Sequence, residues 1–143
     1  MPIECKVTTI STWLAPITVV ETARGVRFVD LDDGARQFRR EAAGEYIRVP
    51  GEAEAADELR RYFAGELHVF SVPLDLCGTP FQLRCWEAMR GIPYGQTITY
   101  AQEGLMAGTR GFQAVGQANR KNPVPILVPC HRVVSLSGPG GYF

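Results

Sequence analysis

One cysteine is followed directly by a histidine, Cys130 and His131, in the stretch "NPVPILVPCHRVV" (122–134), which also holds prolines at 123, 125 and 129. The pair admits three chemistries: a metal ligand, a buried structural thiol or a nucleophile. A zinc site needs three or four Cys/His ligands at usable spacing. This chain has two histidines, His68 and His131, and four scattered cysteines (5, 77, 85 and 130) without a CxxC pair, so no metal site is expected. A buried thiol suits the apolar "VPILV". Three prolines, each without an amide donor, nevertheless break a regular central strand and make a stiff, shaped loop. Such a loop holds a side chain in one place, which a nucleophile needs and a filler residue does not. A thiol attacks as its thiolate, which requires a lowered pKa or a nearby base. His131 is the adjacent candidate, and Arg132 adds positive charge. Neighbours on an extended chain point to opposite sides, so His131 reaches the thiol only through a turn or a bridging water. On the residues alone the nucleophile and the structural thiol both stand.

The elements that must position the pair lie in the second half. "TPFQLRCWEAMRGI" begins with Thr79 as N-cap and Pro80 at the first helical position, and sets Phe81, Cys85, Ala88, Met89 and Ile92 on one face. Cys85 is then a small core residue, and strand alternation places Cys5 likewise; Cys77 falls in a loop. After the turn "IPYGQT", the segments "TYAQEGLMAG" and "GFQAVGQANR" read as two short helices joined by "GTRG", a helix-turn-helix candidate. Ala114, Gly116 and Ala118 are expected to let the second helix approach another surface closely. The first half reads as strands over 3–31 in an antiparallel meander, then helices, with Ala55, Leu59, Tyr62 and Phe63 sharing a face. The expectation is an α+β domain over 1–75 and a mainly helical domain over 76–143.

With 45% hydrophobic and 21% charged residues, the chain reads as globular rather than disordered. No apolar run approaches the ~18 residues of a membrane span, and the start lacks a signal-peptide pattern, so a cytoplasmic location, nuclear in a eukaryote, is expected. The zero net charge conceals an asymmetry: residues 1–78 carry 9 Lys/Arg against 13 Asp/Glu, residues 79–143 carry 6 against 2. The basic half holds the Cys-His pair. A polyanionic partner fits that placement, as does an ordinary solvated surface.

"NPVPILVPCHRVV", together with "GTPFQLRCWEAMRGIPYGQTITY" and "AVGQANRKNP", resembles the O6-alkylguanine-DNA alkyltransferase (methylated-DNA:protein-cysteine methyltransferase) family, strongly over 72–142 and in general layout before that. The resemblance implies a ribonuclease-H-like N-terminal domain and a winged-helix-like C-terminal domain whose helix-turn-helix enters the minor groove. It implies DNA repair by base flipping and irreversible transfer of the alkyl group to the protein's own cysteine, in a single turnover. A stacked base hides its O6, so extrusion must come first, and small residues suit a narrow groove. The expected partner is double-stranded DNA carrying O6-alkylguanine, bound by a monomer with no cofactor and no membrane.

The same resemblance makes Cys130 the alkyl acceptor and His131 its activating partner through water. Asn122 positions the active-site turn, and Tyr142 hydrogen-bonds the purine and helps protonate the leaving guanine. Pro125 walls the base pocket, the carbonyls of Cys130 and Val133 accept from the guanine amino group, and Tyr100 pushes on the target phosphate. Gln113, Ala114, Gly116 and Arg120 face DNA, Arg120 near phosphate. Two departures accompany it. Relatives place an arginine before "AVG", filling the gap left by the flipped base; here the residue is Gln113, uncharged and a poorer stacking partner. Relatives also continue past "GGYF" through a helix whose glutamate orients the histidine, so His131 is expected to act without that carboxylate; Phe143 stands where they have a small polar residue. Two other readings compete: a sensor that binds alkylated guanine for another repair pathway, and a cysteine hydrolase. Cys130 argues against the first, since alkyltransferase-like relatives replace it, and no oxyanion hole supports the second.

Overall fold

A computed structural model describes residues 2–32, 34–41, 45–135 and 138–139. The chain divides into two compact units, Met1–Leu76 and Cys77–Phe143. The first is built on β1 (Ile3–Ile10), β2 (Ile17–Thr22) and β3 (Gly25–Asp30), with α1 (Arg36–Glu41), β4 (Tyr46–Arg48) and α2 (Glu54–Phe63) following. Strand order is β3-β2-β1-β4. The β1–β2–β3 part is the antiparallel meander expected, with Val7 opposite Val20 and Val20 opposite Phe28. β4 adds a parallel edge, Ile3 opposite Tyr46, which the sequence reading did not foresee. Three residues are too few to carry a recognisable alternation.

β2 is buried along its whole length, including Thr18, Glu21 and Thr22. The polar members are satisfied: Glu21 accepts from the amides of Glu54 (2.8 Å) and Ala55 (3.1 Å). A strand carboxylate therefore caps the first turn of α2, where orphan N–H groups and the positive end of the helix dipole favour an anion. Of the face expected on α2, Ala55 and Leu59 are fully buried, while Tyr62 and Phe63 lie at its margin. Phe28, Val20 and Cys5 form a core cluster joined by Val7, Phe38 and Tyr46.

In the second unit α3 (Pro80–Arg90) starts as expected. Thr79 accepts from the Gln82 amide (3.1 Å) while the Gln82 side chain accepts from the Thr79 amide (3.0 Å), a closed capping box over Pro80 at the first helical position. Cys85, Trp86, Ala88 and Met89 turn inward. β5 (Ile98–Thr99) leads into α4 (Tyr100–Met106), whose N-terminus carries a second capping box between Thr99 and Gln102. α5 (Phe112–Arg120) completes the helix-turn-helix. A three-stranded sheet, β5-β6-β7 with β6 Val133–Ser135 and β7 Gly138–Pro139, corrects the mainly helical expectation for this half. Its strands of two and three residues again leave no readable period. Among the described residues no helix is long and apolar enough to cross a membrane.

Candidate active site and its helix-turn-helix

Cys130 opens a 3₁₀ turn, Cys130–Arg132, at the end of the proline-rich segment. The stretch is a folded loop rather than a strand. The Val128 amide reaches back to the Val124 carbonyl (3.0 Å), the Cys130 amide to Val128 (2.9 Å) and the Arg132 amide to Pro129 (2.9 Å). Inside it Ile126 takes φ 77°, a left-handed conformation that costs a β-branched residue of order 1–3 kcal/mol. Ile126 is nonetheless buried, at 5% exposure, as are Val124, Leu127 and Val128. Apolar packing holds the strained turn in place.

Asn122 ties the two ends of this loop together. Its side-chain oxygen accepts from the Val124 amide (2.9 Å) and its side-chain nitrogen donates to the Val128 carbonyl (2.8 Å). Asn122 is itself buried, and its side chain also hydrogen-bonds the Cys130 thiol. The thiol is 5% exposed. Burial pushes its pKa up; the Asn122 side chain and nearby backbone amides pull in the opposite direction, and the buried Glu103 carboxyl adds to the rise. Cys130 is therefore held as a protonated thiol, which would have to hand its proton to a base before any attack by sulfur.

His131 follows on the same turn and is exposed. Partial desolvation, and next the Arg132 guanidinium, hold its pKa below the usual histidine value. It is neutral at physiological pH. The two residues sit on a 3₁₀ turn rather than on the extended chain that would point them to opposite sides. Arg132 is an anchor: its guanidinium donates to the Ile92 carbonyl (2.7 Å) and lies 5.6 Å from the centre of the Tyr94 ring. The sequence marked it only as a nearby charge.

Val133, immediately after the turn, is buried and pairs with Ile98 through β5–β6. Pro125, half-buried, forms a bridge with Val128 at the mouth of the loop. Tyr100 is the first residue of α4, half-buried behind the Thr99 cap. On α5, Gln113, Ala114 and Arg120 are exposed and Gly116 has open space where a side chain would stand. Ala118 does not join them, contrary to expectation: it is 3% exposed and its carbonyl accepts from the Trp86 indole at 2.8 Å. Its small size lets α5 pack on α3 rather than on an outside surface. Tyr142 and Phe143 lie outside the described residues. Cys5 and Cys85 are buried and Cys77 exposed, all free thiols, with burial pushing Cys85 up to about 11.

Sequence reasoning missed a buried polar pair behind the site. Glu103 on α4 is fully buried and accepts from the Asn119 side-chain amide of α5 at 2.7 Å. Desolvation pushes its pKa up to about 7, against the pull of the Asn119 hydrogen bond. A signal existed: Glu103 follows Thr99 by four positions, inward of the capping-box Gln102, but a helix Glu reads by default as solvated.

Residues 5–76 match the family described as 6-O-methylguanine DNA methyltransferase, ribonuclease-like domain, and residues 80–143 match the DNA binding domain of the same family. The methylated-DNA:protein-cysteine methyltransferase of Mycobacterium leprae is 53% identical over 87 residues, 60% of this chain and 53% of that protein. The chain thus matches about half the length of that relative. The enzyme of the same name from Methanosarcina acetivorans is 37% identical over 130 residues, 87% of this chain and 80% of the relative. The crystal structure of Mycobacterium tuberculosis OGT in complex with DNA superposes with a TM-score of 0.82 at 37% identity, covering 98% of this chain and 84% of that one. The two matched domains follow the order of the two units, and the chain belongs to the 6-O-methylguanine DNA methyltransferase family.

Proposed function

We propose that this chain, acting as a monomer, repairs double-stranded DNA by taking the alkyl group from O6-alkylguanine onto Cys130, once per molecule. The observation that carries the reading is the Cys130 turn itself: a buried thiol clamped by Asn122, beside a neutral His131. A structural thiol would not need such a clamp. In the proposed reaction the thiol proton passes through water to His131, and sulfur attacks the alkyl carbon. The S–C bond forms as the C–O6 bond breaks, its electron pair staying on O6. The leaving guanine takes a proton from the Tyr142 hydroxyl, which the His131 imidazolium restores. The net change is a proton exchanged for an alkyl group on sulfur, with no redox step and no cofactor.

Recognition is assigned to α4 and α5. The exposed face of α5 bears Gln113, Ala114, Gly116 and Arg120, with no acidic residue anywhere in the helix. Small residues permit entry into the minor groove, and Arg120 supplies a phosphate contact. Tyr100 presses on the target phosphate, Pro125 walls the base, and the carbonyls of Cys130 and Val133 read the guanine amino group. Gln113 fills the stack once the base has turned out. Because glutamine stacks less well than a guanidinium and carries no charge, Gln113→Arg is expected to tighten binding to O6-methylguanine duplex. Equal affinities in a fluorescence-anisotropy titration would remove Gln113 from the gap-filling role.

The function is tested by intact mass after incubation with O6-methylguanine duplex DNA, with peptide mapping and Cys130→Ala as control. One added methyl on Cys130, absent from the control, is the expected outcome. Lesion-selective binding without transfer would instead make the chain a sensor.

A further inference from the structure

We propose that Glu103 is a positioning residue for the acceptor thiol: a buried carboxyl that holds Asn119, and through it Asn122, in register with Cys130, and whose charge governs how readily that thiol ionises. The proposal rests on Cys130 being the alkyl acceptor and adds a residue to that site.

A continuous run of buried groups carries it. The Glu103 carboxylate oxygen Oε1 accepts from the Asn119 side chain at 2.7 Å. The Asn119 backbone carbonyl, in the last turn of α5, accepts from the Asn122 amide at 3.2 Å. The Asn122 side chain then bonds the Val128 carbonyl, the Val124 amide and the thiol. Glu103, Asn119 and Asn122 are 0%, 2% and 8% exposed. The second carboxylate oxygen, Oε2, is buried with no hydrogen-bond partner. A carboxyl so placed is costly as a mere filler, because a leucine would occupy a core position without desolvating a charge. Its retention is accounted for if its charge has a task.

The charged and titratable groups around α4 define what Glu103 meets. α3 brings Cys85 and Arg84, whose guanidinium is engaged with the Ala107 carbonyl at 3.0 Å. The Glu87 and Arg90 side chains of α3 pair with each other at 3.1 Å. α5 brings Arg120, which is exposed, and the 3₁₀ turn brings Cys130, His131 and Arg132, the last bound to the Ile92 carbonyl. The described residues of β5 and β6 bring none. After burial, the Glu103 carboxyl adds to the upward push on the pKa of both the Cys85 and the Cys130 thiols. With its own pKa near 7, it changes charge where the protein works. Below that pH the carboxyl is neutral and Cys130 ionises more easily; above it the carboxylate opposes the thiolate.

The test measures Cys130 carboxamidomethylation by iodoacetamide from about pH 6 to about pH 9. Peptide mass separates the product from labelling at Cys77 and Cys85. The rate for Glu103→Gln, which keeps an acceptor for Asn119, is expected to equal wild type at the acid end. At about pH 8 it should be several-fold faster, because the variant lacks the carboxylate that opposes the thiolate. Wild type alone should show a shoulder near pH 7, absent from the variant. A purely packing role would alter the melting temperature without moving the profile. Superimposable profiles, or a wild-type curve that fits one thiol ionisation, would overturn the proposal; the wild-type curve decides even if the variant does not fold. Because no DNA is involved, the result is independent of whether methyl transfer occurs.

Discussion

Asn122→Ala is expected to slow methyl transfer from O6-methylguanine duplex about a hundredfold, the scale of a misplacement near 1 Å at a reacting centre. The substitution removes the donor to Val128, the acceptor for the Val124 amide and the contact with the thiol, all in a buried loop. The Val128 carbonyl retains the Cys130 amide. The Val124 amide is left without its partner, so the stability loss is about 2–3 kcal/mol, in the range for an orphaned buried donor. Loss of the thiol hydrogen bond also raises the Cys130 pKa further, since that bond is the largest of the groups lowering it. Single-turnover kinetics alongside urea unfolding separate the two effects. A wild-type rate in a destabilised Asn122→Ala protein would mean that the prolines and the Ile126 turn hold the sulfur by themselves.

The second large effect belongs to the first unit. Gly25 sits at φ 140°, in a conformation that L side chains rarely adopt, and a β-carbon there would lie 2.3 Å from the Pro73 carbonyl oxygen. The Pro73 backbone cannot withdraw cheaply. Its carbonyl accepts from the Val26 amide at 2.9 Å, and the Asp75 amide returns to the Val26 carbonyl at 2.8 Å, so the 73–75 segment is fastened to the start of β3 on both sides. Gly25→Ala is therefore expected to destabilise this unit by roughly 4 kcal/mol, combining overpacking with backbone strain. Hydrogen-exchange mass spectrometry should show faster exchange at β3 and at 73–75. Unchanged protection there would mean that the segment shifts with little resistance.

Much of the site was legible because the signals were local. Thr79 as N-cap and Pro80 at the first helical position predict the start of α3, and the structure adds the Gln82 side chain to close a capping box there. Two short helices with a glycine-containing connection predict α4 and α5. The prolines at 123, 125 and 129 argue against a strand, and the chain turns there as they require. The short strands β4, β5, β6 and β7 escaped, since two or three residues cannot display a period, and the partners of β4 and β5 are remote in sequence. Ala118 was misassigned for a related reason: Ala114, Gly116 and Ala118 are all small, and small size permits a close approach without saying which surface is approached. Only the packing of α5 on α3 shows which of them looks inward.

By itself the sequence carried the family resemblance, the order of the two units and a candidate Cys-His pair, because a Cys-His dipeptide in a proline-rich loop and a capped helix are encoded within a few neighbouring residues. The tertiary structure decided what surrounds the sulfur. Asn122 reaches Val128 and the thiol only once the loop has folded back, and Glu103 meets Asn119 only when α4 and α5 pack. Protonation states at the site follow from desolvation and from charges brought close by that packing. Both depend on three-dimensional distance, which spacing along a chain does not carry.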